Sequence, residues 1–201
     1  MTVSVVATHR GRPRSEVADR AIVAAALDVL IEVGAARFSV EAVAARAGVG
    51  KSTIYRRFDG AHDLLARALS TLNDDLPPTP AGVPVREALI SIVEGIRERS
   101  AEGRSDRCLP QVLSQAHLNP ELFEIYYERV VLVRRERVRA VLRDAVTRGE
   151  VRDDVDLDLL VSLFTAPMIG LMMMTPLSRR RVDDSTAASI VDAVLSGVGV
   201  H

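Results

Sequence analysis

Apolar residues recur along this chain at intervals of three and four, the period of helices with one buried face. Ile22, Ala25, Ala26, Val29 and Val33 form one such stripe, predicting a first helix from about Ser15 that Gly34 ends. Val40, Val43, Ala44 and Ala47 form a second, with Ser39 placed to cap it and Gly48 to stop it in a left-handed turn. In a third, over Lys51 to Phe58, Ile54 and Phe58 face inward and Lys51, Ser52, Thr53, Tyr55, Arg56 and Arg57 stay outside. A fourth starts near Ala61, carries Asp63 in its first turn, and buries Leu64, Leu65, Ala68, Leu69 and Leu72.

The segment Leu76 to Pro84, L-P-P-T-P-A-G-V-P, breaks the pattern. Beyond it a fifth helix is expected over about Val85 to Ser100, with Leu89, Ile92, Val93 and Ile96 inside, and a short sixth over about Leu109 to His117. Asn119-Pro120-Glu121 is a helix start, cap then proline in the first turn. It opens a long seventh helix to about Arg148, seamed by Leu122, Tyr126, Val130, Val133, Val138, Val141, Leu142 and Ala145. The eighth falls between Asp158 and Arg179, and the ninth, about Asp184 to Leu195, is amphipathic through Ala187, Ile190, Val191 and Val194. No long strand signal or internal repeat interrupts this, so the expected fold is all-α with about nine helices. A flexible basic arm, residues 1–14, precedes a head of residues 15–75 and a body of residues 76–201.

The second and third helices make a helix-turn-helix, with Ala44 small enough for close approach and a basic second helix of the kind that enters a DNA major groove. The stretch A-A-R-A-G-V-G-K-S-T-I-Y-R-R-F resembles the TetR family of transcriptional regulators. The resemblance runs from A-I-V-A-A-A-L-D-V-L-I-E-V-G through F-S-V-E-A-V-A to D-G-A-H-D-L-L, about Arg14 to Leu69. R-G-E-V-R-D-D-V-D matches one of the family's C-terminal domain types more loosely. It implies a homodimer whose last two helices pair across a two-fold axis, and a small-molecule effector that respaces the heads and frees a double-stranded operator. It also implies that Lys51, Ser52, Thr53 and Tyr55 face base edges or nearby phosphates, with Ser39, Arg56 and Arg57 on phosphates. Two positions depart from the family: Gly50 stands where a capping Ser is common, and Ala61 where a Lys is usual.

Charge supports a DNA-docking end. Net charge is −1, but residues 1–70 carry 10 basic and 7 acidic side chains, and the remainder 16 and 20. Lys51 is the sole lysine. Arg10, Arg12 and Arg14, in H-R-G-R-P-R, suit an extended arm in the minor groove.

Other chemistries are weaker fits. A-R-A-G-V-G-K-S, residues 45–52, matches a permissive phosphate-loop pattern, but a phosphate loop follows a buried strand and this segment follows a helix. The uncharged run after Asp158 permits a tail-anchored reading with a span at 159–178 and R-R-R behind it. Its Ser, Thr, Gly and Pro residues count against a span, and a helix apolar all round suits burial between subunits instead. One cysteine, Cys108, leaves no intramolecular disulfide or cysteine zinc cluster. The four histidines are scattered, and no catalytic, metal or cofactor constellation emerges. Without an apolar leader core, a cytoplasmic protein and no membrane partner are expected.

In the body, His117, Tyr126, Tyr127, Met168 and the run Met172 to Met174 are candidates for a ligand cavity. Phe164, Gly170, Leu171, Met174, Ile190 and Val194 are candidates for the dimer interface. Arg134, Arg135, Arg137 and Arg139, interleaved with Glu136 and Asp144, read as a solvated face.

Overall fold

The computed structural model describes residues 12–74, 76–78, 82–102, 104–174 and 182–198. They form an all-α fold: α1 (Arg12–Val33), α2 (Val40–Ala47), α3 (Lys51–Tyr55), α4 (Gly60–Ser70), α5 (Val85–Glu102), α6 (Arg104–Gln115), α7 (residues 120–147), α8 (Leu157–Met174) and α9 (Asp184–Val198). Two compact units emerge, a head of Met1–Ala68 and a body of Leu69–His201. The division lies inside α4, ahead of the proline-rich segment. A 3-10 turn, Thr71–Asn73, prolongs α4, and the body's Arg134 binds it: Nε donates to Asn73 Oδ1 (2.9 Å) and Nη2 to the Leu72 carbonyl (2.7 Å).

The head follows the sequence pattern closely. Ile22, Ala26, Leu27, Leu30, Val43, Ile54 and Leu64 are buried on its four helices. α1 starts at Arg12, with Pro13 in its first turn where no amide partner is needed. Arg12 and Arg14 thus belong to a helical turn, not the extended arm expected there, and Arg10 lies outside the described residues.

In the body, α5 packs against α7, α8 and α9, and α6 against α5 and α7. The shared core includes Leu89, Val93, Val138, Leu142, Phe164, Met168, Ala187 and Val191. The R-G-E-V-R-D-D-V-D segment organises helix ends: Glu150 Oε2 accepts from the Val85 amide (2.7 Å) at the start of α5, and Asp156 accepts from the Asp158 and Leu159 amides at the start of α8.

The seam of α7 departs from the sequence pattern. Its middle turn, Tyr127–Val131, is a π-helix between the α-helical segments Pro120–Tyr126 and Leu132–Thr147. The extra residue rotates the C-terminal part of the helix by about 100°. Val133, expected in the seam, is 45% exposed, and Arg134 turns inward instead.

Candidate nucleic-acid interface and ligand cavity

The head presents α2, a glycine turn and α3. Ser39 caps α2 as expected, its Oγ accepting from the Ala42 amide (3.1 Å). Gly48 takes the left-handed conformation, φ 66°, and the Val49 amide closes the turn on the Ala44 carbonyl (3.0 Å). Gly50, at the cap position of α3, gives no side-chain hydrogen bond, so the first amides of α3 are left for another acceptor.

α3 is shorter than expected, ending at Tyr55, but its facing is the one the pattern implied. Ile54 is buried, as is Phe58 just beyond, and Arg67 lies over the Phe58 ring at 5.2 Å. Lys51, Ser52, Tyr55 and Arg56 are exposed, and Thr53 is half-buried. Lys51 Nζ reaches Glu41 Oε1 at 3.1 Å across the turn. Glu41 is held below the ordinary carboxylate range by a hydrogen bond from its own backbone and then by Lys51. Arg57 is the exception among the expected phosphate ligands: its side chain is largely covered and pairs with Asp19 of α1. It braces the turn after α3 against α1 and does not share the exposed face.

The body encloses a cavity of about 360 Å³. Ile92, Ile96, Leu109, Leu113, Val130, Ile169 and Met172 give it apolar walls. Tyr126 also lines it, and burial pushes this phenol up to about 12. Cys108 is buried and its thiol pushed up to about 12 by the same cause. Both groups are neutral near pH 7.

Four guanidinium groups line the cavity, from Arg99, Arg134, Arg135 and Arg137, and among the described residues no Asp or Glu does. Arg134 holds Leu72 and Asn73 as described, and Arg137 binds the Pro77 carbonyl. Arg135 donates to Ser162 Oγ (3.0 Å) and to the Asp158 carbonyl (3.1 Å). The Nε of Arg99 is buried and makes no hydrogen bond with the described residues. Burial first, then repulsion from Arg134 and Arg137, lowers Arg99 to about 10.

Several sequence expectations change here. Arg134, Arg135 and Arg137 are cavity residues; of the expected solvated cluster only Arg139 keeps mainly surface partners, Glu136 and Asp158. Among the ligand candidates Tyr126 and Met172 line the cavity, joined by Met173. His117 and Tyr127 are exposed away from it, and Met168 is sealed in the core. Phe164 is likewise fully buried within this one chain, so it is core and not interface. Ile190 and Val194 pack half-buried on that core, Leu171 is half-buried, and Met174 and Gly170 are exposed.

Comparison with known proteins supplies the identity. The description "Bacterial regulatory proteins, tetR family" fits residues 22–68, and "Tetracyclin repressor-like, C-terminal domain" fits residues 80–194. The chain belongs to the TetR family of transcriptional regulators.

Two relatives cover nearly the whole TetR-family chain. An HTH-type transcriptional regulator of Bacillus subtilis (strain 168), YdeS, is 29% identical over 95% of this chain and 94% of its own. The DNA-binding transcriptional repressor TetR of Mycobacteroides abscessus is 31% identical over 90% and 94%. The solved structure of the flavonoid-responsive regulator FrrA shares the fold, with a TM-score of 0.71 at 21% identity over 90% of this chain and 95% of that one. The protein is therefore a DNA-binding transcriptional regulator. Neither the tail-anchored nor the phosphate-loop alternative is supported. One face of α8 lies in the body core, through Leu160, Val161, Phe164 and Met168, and Ala45 to Ser52 spans a helix end and a glycine turn with no strand before it among the described residues.

Proposed function

We propose that this TetR-family regulator is a cytoplasmic repressor that binds a palindromic operator as a homodimer. A small amphipathic effector, taken up by the cavity of the body, releases it. The observation that carries the DNA-reading part is the face of α3: Lys51, Ser52, Tyr55 and Arg56 stand outside a helix anchored by buried Ile54. A helix so placed can enter the major groove with its N-terminal side chains against base edges.

On this reading Lys51, Ser52, Thr53 and Tyr55 meet bases and adjacent phosphates, and Ser39 and Arg56 meet phosphates. Lys51 exchanges Glu41 for the operator, a small loss because the pair is exposed on both sides. Arg57 supports the face from behind. Arg12 and Arg14, in the first turn of α1, and Arg10 before it add phosphate or minor-groove contacts. The exposed apolar sides of α8 and α9 form the dimer.

Selection of binding sites from random DNA, followed by gel-shift titration, tests this. The selected sites should be palindromic. Lys51→Ala should weaken binding to the selected site by about 1–3 kcal/mol if Lys51 reads a guanine, with a smaller effect on unrelated DNA. An equal loss on every sequence would move Lys51 from bases to phosphates, and failure to enrich any site would reject operator reading altogether.

A further inference from the structure

We infer that the effector is an organic carboxylate with an apolar body, and that Arg99 receives its carboxylate. The inference rests on the cavity being the effector site and adds the chemical class.

The cavity has two kinds of wall. Aliphatic and thioether side chains such as Ile92, Ile96 and Met172 reward an apolar ligand in proportion to the surface they cover. The other wall is cationic, with no carboxylate among the described residues that line it. An enclosed charge with no counter-charge is costly, and the cost is relieved by an opposite charge brought to it.

The four arginines are not equivalent. Arg134 and Arg137 spend hydrogen bonds on the chain segment beyond α4, at Leu72, Asn73 and Pro77. Arg135 is engaged by Asp158 and Ser162. The guanidinium of Arg99 makes no hydrogen bond or ion pair with the described residues. Gly95, one turn earlier on α5, makes its position possible: a Cβ there would stand 2.8 Å from Arg99 Nη1. The absent side chain leaves a trough in which the guanidinium lies against its own helix.

A guanidinium is a planar fork that matches a carboxylate with two parallel N–H···O bonds. At about 10, Arg99 remains cationic at neutral pH. Tyr126, held neutral, keeps its O–H as a donor on the same cavity. One cation with no ion pair among the described residues, beside apolar walls, matches one negative charge on an apolar body, and it disfavours an amine of the same shape.

The experiment compares matched probes on the full-length protein by calorimetric titration at neutral pH: decanoate, decanol and decylamine, then naphthoate and naphthol. At least one acid should bind about tenfold or more tighter than its alcohol, with the amine weakest. Which acid does so separates an aliphatic from an aromatic source. Arg99→Gln should retain the helical circular-dichroism signal and bind the alcohol as before, but lose most of the acid preference. Arg99→Lys should keep part of it. The inference is overturned if acid and alcohol bind equally, if no probe binds, or if Arg99→Gln keeps the full preference. Operator binding measured on the same preparations separates the two readings. A protein that binds its selected operator but does not favour acids remains a regulator with another effector, whereas one that binds no specific DNA loses the repressor reading first.

Discussion

Arg99 shows how a single side chain can be set against the stability of its own fold. Its pKa is lowered because burial and two neighbouring arginines disfavour the charged form. The unfolded chain therefore holds this proton more tightly than the folded one. The penalty is fully present below about pH 10, where the group is charged in both states, and it fades only as pH rises through that value. Arg99→Met should remove it while filling similar space. We expect the ligand-free melting temperature to rise by about 2–4 °C, the shift that roughly 1 kcal/mol gives in a chain of this size. A melting temperature that falls would mean that Arg99 is stabilised by contacts its charge makes in the empty protein.

At the level of elements, the two halves of the helix-turn-helix have separable duties. Ser39 accepts the Ala42 amide through Oγ, and its hydroxyl hydrogen is left for a phosphate. Ser39→Ala should cost about 1 kcal/mol of stability and also weaken DNA binding. Ser39→Asp keeps the cap but adds a negative charge, so it should unfold at nearly the wild-type urea concentration and bind operator more weakly than Ser39→Ala does. Equal operator binding by the two variants would take Ser39 off the DNA.

The π turn of α7 is the other decisive element. Apolar spacing reported Val130, Val138, Leu142 and Ala145 correctly, because each is apolar and covered by the core. It could not report that one turn holds an extra residue, since a π turn is selected by packing and not by local propensity. The consequence was a misplaced Val133 and three arginines read as solvated that line a cavity. A signal was present in the arginine-rich run from Arg129 to Arg139, which has only Glu136 to oppose it. Without the register, nothing in the letters separates such a run from a wet surface.

For the whole molecule, α8 poses the question of assembly. Its core face is filled, and Leu159, Leu163, Met173 and Met174 remain exposed on the other sides. Such apolar exposure is characteristic of an interaction surface. Gly170 is open: a Cβ at this position would meet nothing within 4 Å, so a larger residue there disturbs little inside one chain. If this face is the two-fold interface, Gly170→Arg appears twice and brings two like charges together. Sedimentation should then show monomers with unchanged helical content, and gel shifts should show no cooperative operator binding. A tight Gly170→Arg dimer would place the interface elsewhere.

The sequence by itself determined the helix count, the helix-turn-helix and, Arg57 apart, its outward side chains. Each of these depends on local spacing, on caps such as Ser39 and on breaks such as Gly48, which act within a few residues. It also carried the family, because the turn between α2 and α3 constrains letters one by one. Only the tertiary structure decided which helix faces meet. Phe164 and Met168 are sealed by neighbours from distant parts of the chain, Arg57 is taken by Asp19, and Arg99 is stranded beside a cavity. Those outcomes depend on which side chains are opposed across the bundle, and periodicity along one helix says nothing about its partner.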